Sequence, residues 1–447
     1  MRAVATWQTP PESPENGELP LLLPDNKSEQ VPPKPEQVPA VHPIPPPANS
    51  QSRAGVDNWI DGLTLDQAID LAMENNPRLM AARARVNSAR GYAIQAGIWN
   101  NPRFDTNNPQ VLGLGPGNNA YNAGFQMEIP VMGKKRLDRR AVEQLIREAD
   151  YAYQLERYDL LGDVREGFYR LLAAQRRVKT LSELAEFAKR ARNAGEEFFK
   201  ADQSAEIDVF QLESALQKAV GGLESAQASL AAKRASLTAI IGLPNLPINN
   251  AQGDLFAPVP RFDEAYLREY VATRHFSIQQ AEAELTRSRI LLRRAEVEPV
   301  PNPYTGPASQ FANANGHAQF WYNIQFNIPI WDRNQGNIRA ANANINNARQ
   351  VIVVQQNELL RQAEDAFGRH RAALALADRI GNGVLPNAEK AASLLRQGYE
   401  SRDVEVFRYL QAQTELTNAN LDYINAVEDV WSTAAELGRL MQMDSFP

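Results

Sequence analysis

A chain of 447 residues that is 43% hydrophobic and 22% charged carries enough apolar material for two or three buried cores. Its formal net charge of -6 argues against a nucleic-acid partner, which needs a concentrated basic face. The absence of cysteine excludes disulfides, thiolate metal sites and cysteine nucleophiles. The histidines, His42, His275, His317 and His370, never fall within a helical turn of one another, so no metal site and no cofactor are expected. No stretch approaches the roughly 18 apolar residues of a membrane helix. A membrane crossing would therefore have to be a β-barrel, the other structure that satisfies every backbone group in lipid.

Residues 1–57 are rich in proline, with Pro32, Pro33, Pro35, Pro39, Pro43, Pro45, Pro46 and Pro47 in one short stretch. That composition predicts a disordered segment, either a plain linker or a docking peptide. No export signal is visible: the longest apolar candidate, Leu19 to Leu23, is interrupted by Pro20.

From residue 58 onward the chain reads as one domain built by internal duplication, with halves at about 60–250 and 262–447. Phe125-Gln-Met-Glu-Ile-Pro-Val131 parallels Ile324-Gln-Phe-Asn-Ile-Pro-Ile330, and Ser204 to Phe210 parallels Ser401 to Phe407. Phe168 matches Phe367. All three pairs share an offset of about 200 residues, which a single duplication explains.

Each half repeats one element order. A helical stretch comes first, Leu65 to Ile98 and Asp263 to Val297, the former opening on Thr64 as N-cap with Gln67 three residues on. A Pro/Asn/Gly-rich region with strand-like pieces follows. Two long helical stretches close each half, 134–200 with 206–241 and 334–399 with 403–441. The first of each pair implies a rod of roughly 95 Å, far beyond a globular helix, and points to a coiled coil or helical tube. Alternating 3–4 spacing supports this. It runs Val209, Leu212, Leu216, Ala219, Leu223, Ala226, Leu230, Lys233, Leu237, Ile240 in one half. In the other it runs Val406, Tyr409, Gln413, Leu416, Asn420, Tyr423, Val427, Val430, Ala434, Leu437, Met441.

The strand-like pieces are more informative. Tyr121, Phe125, Met127 and Ile129 alternate with Asn122, Gln126 and Glu128. Phe320, Tyr322, Ile324, Phe326 and Ile328 alternate with Gln319, Asn323, Gln325 and Asn327. Period two means one apolar and one polar face. Taken alone, the pattern fits a half-buried strand of a soluble sheet equally well. Two features favour lipid outside and water inside: the strands are too few for a soluble sheet, and they lie twice between very long helices. Their length matches the roughly 9–11 residues of a tilted membrane strand. Tyr121, Phe320, Trp321 and Tyr322 would form an aromatic girdle. Weaker strands, Phe104 to Gln110 and Asn302 to Phe311, precede them, and Gly113-Leu-Gly-Pro-Gly117 reads as a hairpin loop. Four strands cannot close a barrel, which needs at least about eight, so copies must combine: two chains give eight, three give twelve.

Enzyme signatures are missing: the sequence has no nucleophile elbow, Walker loop or metal-ligand spacing. Carboxylates pair with Arg and Lys along the helices, and His317 and His370, the latter between Arg369 and Arg371, read as surface residues.

Over roughly residues 60–441 the chain resembles the TolC-type outer-membrane efflux factors, within them the cobalt–zinc–cadmium type. The resemblance rests on Leu65-xx-Ala68-xxx-Ala72-xx-Asn75-Asn76-Pro77 with Leu79 and Ala82, the duplicated Ile129-Pro130 and Ile328-Pro329, Asp208-Val209-Phe210 with Glu405-Val406-Phe407, and Leu410-Gln-Ala-Gln413. It implies a homotrimer with a twelve-stranded barrel in outer-membrane lipid and a twelve-helix periplasmic tunnel. The fold class is mainly α with a small transmembrane β part. The function implied is the outer-membrane channel of a tripartite efflux pump, passing drugs or metal cations, with a periplasmic adaptor and an inner-membrane RND-type pump as partners. A type I protein-secretion channel and a soluble coiled-coil scaffold are the alternatives. The helix-turn-helix tips fall at about 198–210 and 395–407. Adaptor or gate residues would be Asp202, Ser204, Glu206 and Asp208, and Gly398, Glu400, Ser401, Asp403 and Glu405. Gly398 matches the family glycine before the turn, whereas Ala201 stands at the matching place in the first tip. Repeated around a ring, the acids would form carboxylate rings; the simpler reading is a solvated turn whose acids complement helix dipoles.

Overall fold

The computed structural model describes residues 60–107, 120–202, 205–312, 318–401 and 403–446. The proline-rich segment, the Gly113–Gly117 loop, Ser204 and His317 lie outside them.

Described in chain order, the elements are β1 (Ile60–Leu63), α1 (Leu65–Asn75), α2 (Pro77–Gly97), β2 (Arg103–Asn107) and β3 (Ala120–Glu128). Then come α3 (Lys134–Lys200), α4 (Glu206–Ile241), β4 (Ile248–Ala251), α5 (Glu264–Thr273) and α6 (Phe276–Val297). The last group is β5 (Tyr304–Ala312), β6 (Ala318–Gln325), α7 (Gln335–Arg379), a π-helical segment (Ile380–Val384), α8 (Leu385–Glu400) and α9 (Val406–Leu440). No described helix is long and apolar enough to cross a membrane.

The predicted helical rods are present. α3 runs for 67 residues, about 100 Å at 1.5 Å per residue. Every 3–4 position named on α4 and α9 is buried or half-buried, Lys233 included, so the spacing does mark the packed seam. Thr64 caps α1 reciprocally with Gln67: the Gln67 N–H donates to Thr64 Oγ1 and the Thr64 N–H to Gln67 Oε1, at 3.3 and 3.1 Å.

Four features differ from the sequence reading. Each opening helical stretch is two helices. Asn76 ends α1 and caps α2, with Pro77 at its first position, its Oδ1 accepting the Arg78 N–H at 2.8 Å; His275 caps α6 in the same way. Second, β1 and β4 form a parallel pair, Ile60 opposite Ile248, which no periodicity announced. Third, β6 stops at Gln325, opposite Tyr304 at the start of β5. Phe326 and Ile328 therefore follow the strand, and Ile129 follows β3. Pro301 and Pro303 precede β5, and prolines lack the N–H a continued ladder needs; Ile129 keeps one bond, its N–H donating to the Pro303 carbonyl at 2.9 Å. Fourth, the second long rod is broken by the π segment.

The largest core sits where the rods meet the short β1–β4 pair. Leu160, Val164, Phe168, Leu171 and Leu172 of α3 pack with Ala68 and Ala72 of α1, Leu237 and Ile241 of α4, and Trp431 of α9. The Trp431 ring stacks on Tyr169 at 3.9 Å and its Nε1–H donates to the Leu255 carbonyl at 2.8 Å. His370, read as a surface residue, is 2% exposed. Its Nδ1 lies 2.9 Å from Thr433 Oγ1 and its ring meets Phe262 edge-on; burial pushes its pKa below the usual imidazole value.

Above this core, α2 packs on α3, α3 on α6 and α6 on α7. Below it, α4 packs on α3, α3 on α9 and α9 on α8.

Candidate membrane wall and helical tips

The four strands β2, β3, β5 and β6 make one antiparallel sheet in the order β2-β3-β5-β6. Its register sorts the side chains. Phe104 is opposite Phe125, Met127 opposite Thr305, Pro307 opposite Tyr322, Thr305 opposite Ile324 and Ser309 opposite Phe320. Directly opposed residues of an antiparallel pair share a face, so Phe104, Phe125, Met127, Phe320, Tyr322 and Ile324 all lie on one side. Tyr121, opposite Phe311, has the same register phase. The Phe104 and Phe125 rings touch, with centroids 5.0 Å apart, and Phe320 is 78% exposed. The other face carries Arg103, Asp105, Gln126, Glu128, Gln319, Trp321, Asn323 and Gln325. A small residue is required where β5 crosses β3: a Cβ on Gly306 would lie 1.8 Å from the Phe125 carbonyl oxygen.

A polar knot ties the sheet to the rods. The Glu128 carboxylate accepts from the side-chain amides of Asn100 and Asn302, at 2.6 and 2.7 Å. Asn302 Oδ1 accepts the Val131 N–H at 3.2 Å. Lys134, 3% exposed, donates through Nζ to the carbonyls of Glu298 and Val300 at 3.2 and 2.7 Å. Beside the knot, Ile328, Ile330 and Trp331 are exposed, which extends the apolar surface past the strand ends.

Helices and strands share one lateral order. α2 leads into β2, α3 leaves β3, α6 leads into β5 and α7 leaves β6, and the helices pack in that same sequence. Both layers end in open edges: β2 with α2, and β6 with α7.

At the far ends of the rods lie two turns. In the first, Asp202 adopts a left-handed backbone with φ 54°, and the Ala205 N–H donates to the Asp208 carboxylate at 3.1 Å. In the second, the Gly398 carbonyl accepts the N–H groups of Asp403 and Val404 at 2.8 and 3.1 Å. The Ser401 hydroxyl donates to the Asp403 carboxylate at 2.7 Å, and Glu400 pairs with Arg396 at 2.8 Å. Asp208, Asp403 and Glu400 are thus engaged within their own turns, while Asp202, Glu206 and Glu405 are exposed.

The duplicated tips differ in what they show. Val404 packs against Gly398, where an added Cβ would meet it at 2.6 Å. Phe407 packs into a cluster with Leu184, Leu212 and Leu410. Their counterparts in the first tip, Ile207 and Phe210, are 63% and 66% exposed. Both stand off the 3–4 seam that Val209 and Leu212 mark. Two large apolar residues off the seam were the available signal, and the sequence reading, drawn to the acids, passed over them.

Residues 68–243 match the family model described as outer membrane efflux protein. The chain is 27% identical over 384 residues to the cobalt-zinc-cadmium resistance protein CzcC of Cupriavidus metallidurans, covering 85% of this chain and 90% of that protein. Its fold is similar to the crystal structure of the Campylobacter jejuni CmeC outer membrane channel, with TM-score 0.66 at 18% identity over 85% of each chain. It is also similar to that of the outer membrane protein VceC from Vibrio cholerae, with TM-score 0.70 at 16% identity, covering 85% of this chain and 96% of that one. Sequence and fold agree: the chain matches the outer membrane efflux protein model over residues 68–243 and is similar along most of its length to outer membrane channel proteins.

Proposed function

We propose that three copies of this chain close into a passive conduit, the outer-membrane part of a tripartite pump that carries small solutes or metal cations from periplasm to exterior. The apolar face of the sheet meets hydrocarbon and the polar face lines a water-filled lumen. One observation supports this most: the strands and the helices beside them have open edges on the same two sides. Unpaired strand edges are not tolerated in lipid. Pairing β2 of one copy with β6 of the next closes the sheet and brings α2 of the first beside α7 of the second. Three copies supply twelve strands, comfortably above the closure minimum of about eight. The adaptor would meet the tips, and the apolar Ile207–Phe210 pair favours the first tip as its main contact. The cation reading leans on the resistance named for the similar CzcC protein.

A chain without cysteine suits disulfide mapping. Pairs combining Phe104→Cys, Asp105→Cys or Thr106→Cys with Tyr322→Cys, Asn323→Cys or Ile324→Cys should give, on oxidation in membranes, a ladder that ends at three copies. A purified chain that stays monomeric and soluble without amphiphile would sink the conduit.

A further inference from the structure

In each half the end of the main strand is followed by an exposed large apolar residue and then by cations. Met132-Gly-Lys-Lys-Arg136 stands where the second half has Trp331-Asp-Arg-Asn-Gln335. Met132 is 59% exposed and Trp331 86%. The first half carries far more charge. Between residues 134 and 140 lie Lys134, Lys135, Arg136, Arg139 and Arg140 against the single acid Asp138, in a chain whose formal net charge is -6. The matching stretch of the second half has only Arg333 and Arg339.

Local needs account for two of the five cations. Lys134 is buried on the carbonyls of Glu298 and Val300, and Arg139 pairs with Glu143 at 3.2 Å. Asp138 is taken by Arg294 at 2.7 Å. Among the described residues, neither acid in the first three turns of α3 is therefore left for Lys135, Arg136 or Arg140. Helix stability does not explain them either: the first turn of α3 carries no acid, and cations there oppose the helix dipole. Arg136 and Arg140 are exposed and, four residues apart, share one face of α3. The Arg136 guanidinium folds back toward the strand, since a Cβ on Gly133 would lie 3.4 Å from its Nη2. Its charge thus returns to the level of Met132, where the apolar run Phe125, Met127, Ile129 gives out.

We propose that Lys135, Arg136 and Arg140, with Met132 beside them, bind the headgroup phosphate of an anionic phospholipid in the periplasmic leaflet of the outer membrane. Guanidinium groups match the oxygens of a phosphate, and basic residues just past a membrane span draw anionic headgroups. A zwitterionic headgroup fits less well, because its ammonium meets three cations. Met132 continues the apolar face and lies against the first carbons of the acyl chain. The second half offers Trp331 for the same apolar contact but fewer cations, so the anionic site belongs to the first half. Its depth in the membrane rests on the conduit reading.

The test places the full chain in nanodiscs of phosphatidylethanolamine with a minority of phosphatidylglycerol, and reads the retained lipids by native mass spectrometry. Phosphatidylglycerol should be enriched about fivefold or more over its share of the disc. Lys135→Gln/Arg136→Gln/Arg140→Gln should remove the enrichment, whereas Arg333→Gln/Arg339→Gln should keep it. Arg136→Gln and Arg140→Gln singly should each lower it, which preserves the readout if the triple variant fails to assemble. A chain that enters the discs and conducts, yet retains the two lipids in proportion to their supply, sinks the site alone. A chain that does not enter the discs sinks the conduit and the site with it. If neutralisation changes the ion selectivity of single channels and leaves lipid retention untouched, the cations line the lumen and the lipid site is refuted.

Discussion

His275 shows how a single buried side chain couples this fold to pH. Its Nδ1 accepts the Ser277 N–H at 3.2 Å, capping α6, and the ring is 6% exposed. Burial depresses its pKa from 6.5 to about 4. Folding therefore prefers the neutral ring. The stabilisation is complete above about pH 6.5 and is lost as pH falls toward 4, by up to about 3 kcal/mol if the whole shift is expressed. His275→Asn keeps a capping acceptor without the titration. Its urea midpoint should change less between pH 7 and pH 4 than that of the unaltered chain, and an identical pH dependence would remove His275 as the cause. His370 belongs to the same class of buried imidazole. Its burial was legible in spacing, since Ala363, Ala366 and His370 follow one helical stripe, but the flanking Arg369 and Arg371 gave the local sequence a surface look.

At the scale of elements, strong periodicity was readable and weak periodicity was not. The four rods and the apolar phase of the two main strands follow from repeats many residues long, so their patterns average over local exceptions. The β1–β4 pair is four residues a side and joins positions about 190 residues apart, and so short a run carries no usable period. The rod break at Ile380–Val384 did have a signature in Gly381, Gly383 and Pro386, overridden by the regular spacing on either side. The duplication matches Ser204 to Phe210 with Ser401 to Phe407, yet it hides the difference between the two turns, because only packing distinguishes tucked Val404 and Phe407 from outward Ile207 and Phe210. An exposed apolar pair at a rod end invites a partner. Ile207→Asp/Phe210→Asp should lower capture of the cognate adaptor at least tenfold while thermal stability and assembly stay unchanged. Unaltered capture would move the contact elsewhere.

For the described molecule as a whole, the membrane reading stands on the sheet register, which puts six large apolar side chains on one face. Arginine on that face would cost about 2–4 kcal/mol per site at mid-bilayer. Phe125→Arg and Ile324→Arg should each abolish heat-resistant assembly in outer-membrane fractions, whereas Gln126→Arg and Asn323→Arg, in the opposite phase, should not. Equal tolerance on both faces would refute the assignment. The sequence could not supply the lateral order of strands and helices, because that order depends on contacts between halves that each look complete alone.

That shared order makes each copy a stave running the full height of the wall. In the proposed ring of three, one faulty stave leaves a slit from lipid to waist that two sound neighbours cannot span. Mixing intact and edge-defective chains should then cost activity as the cube of the intact fraction, so a minority of bad subunits would poison most channels.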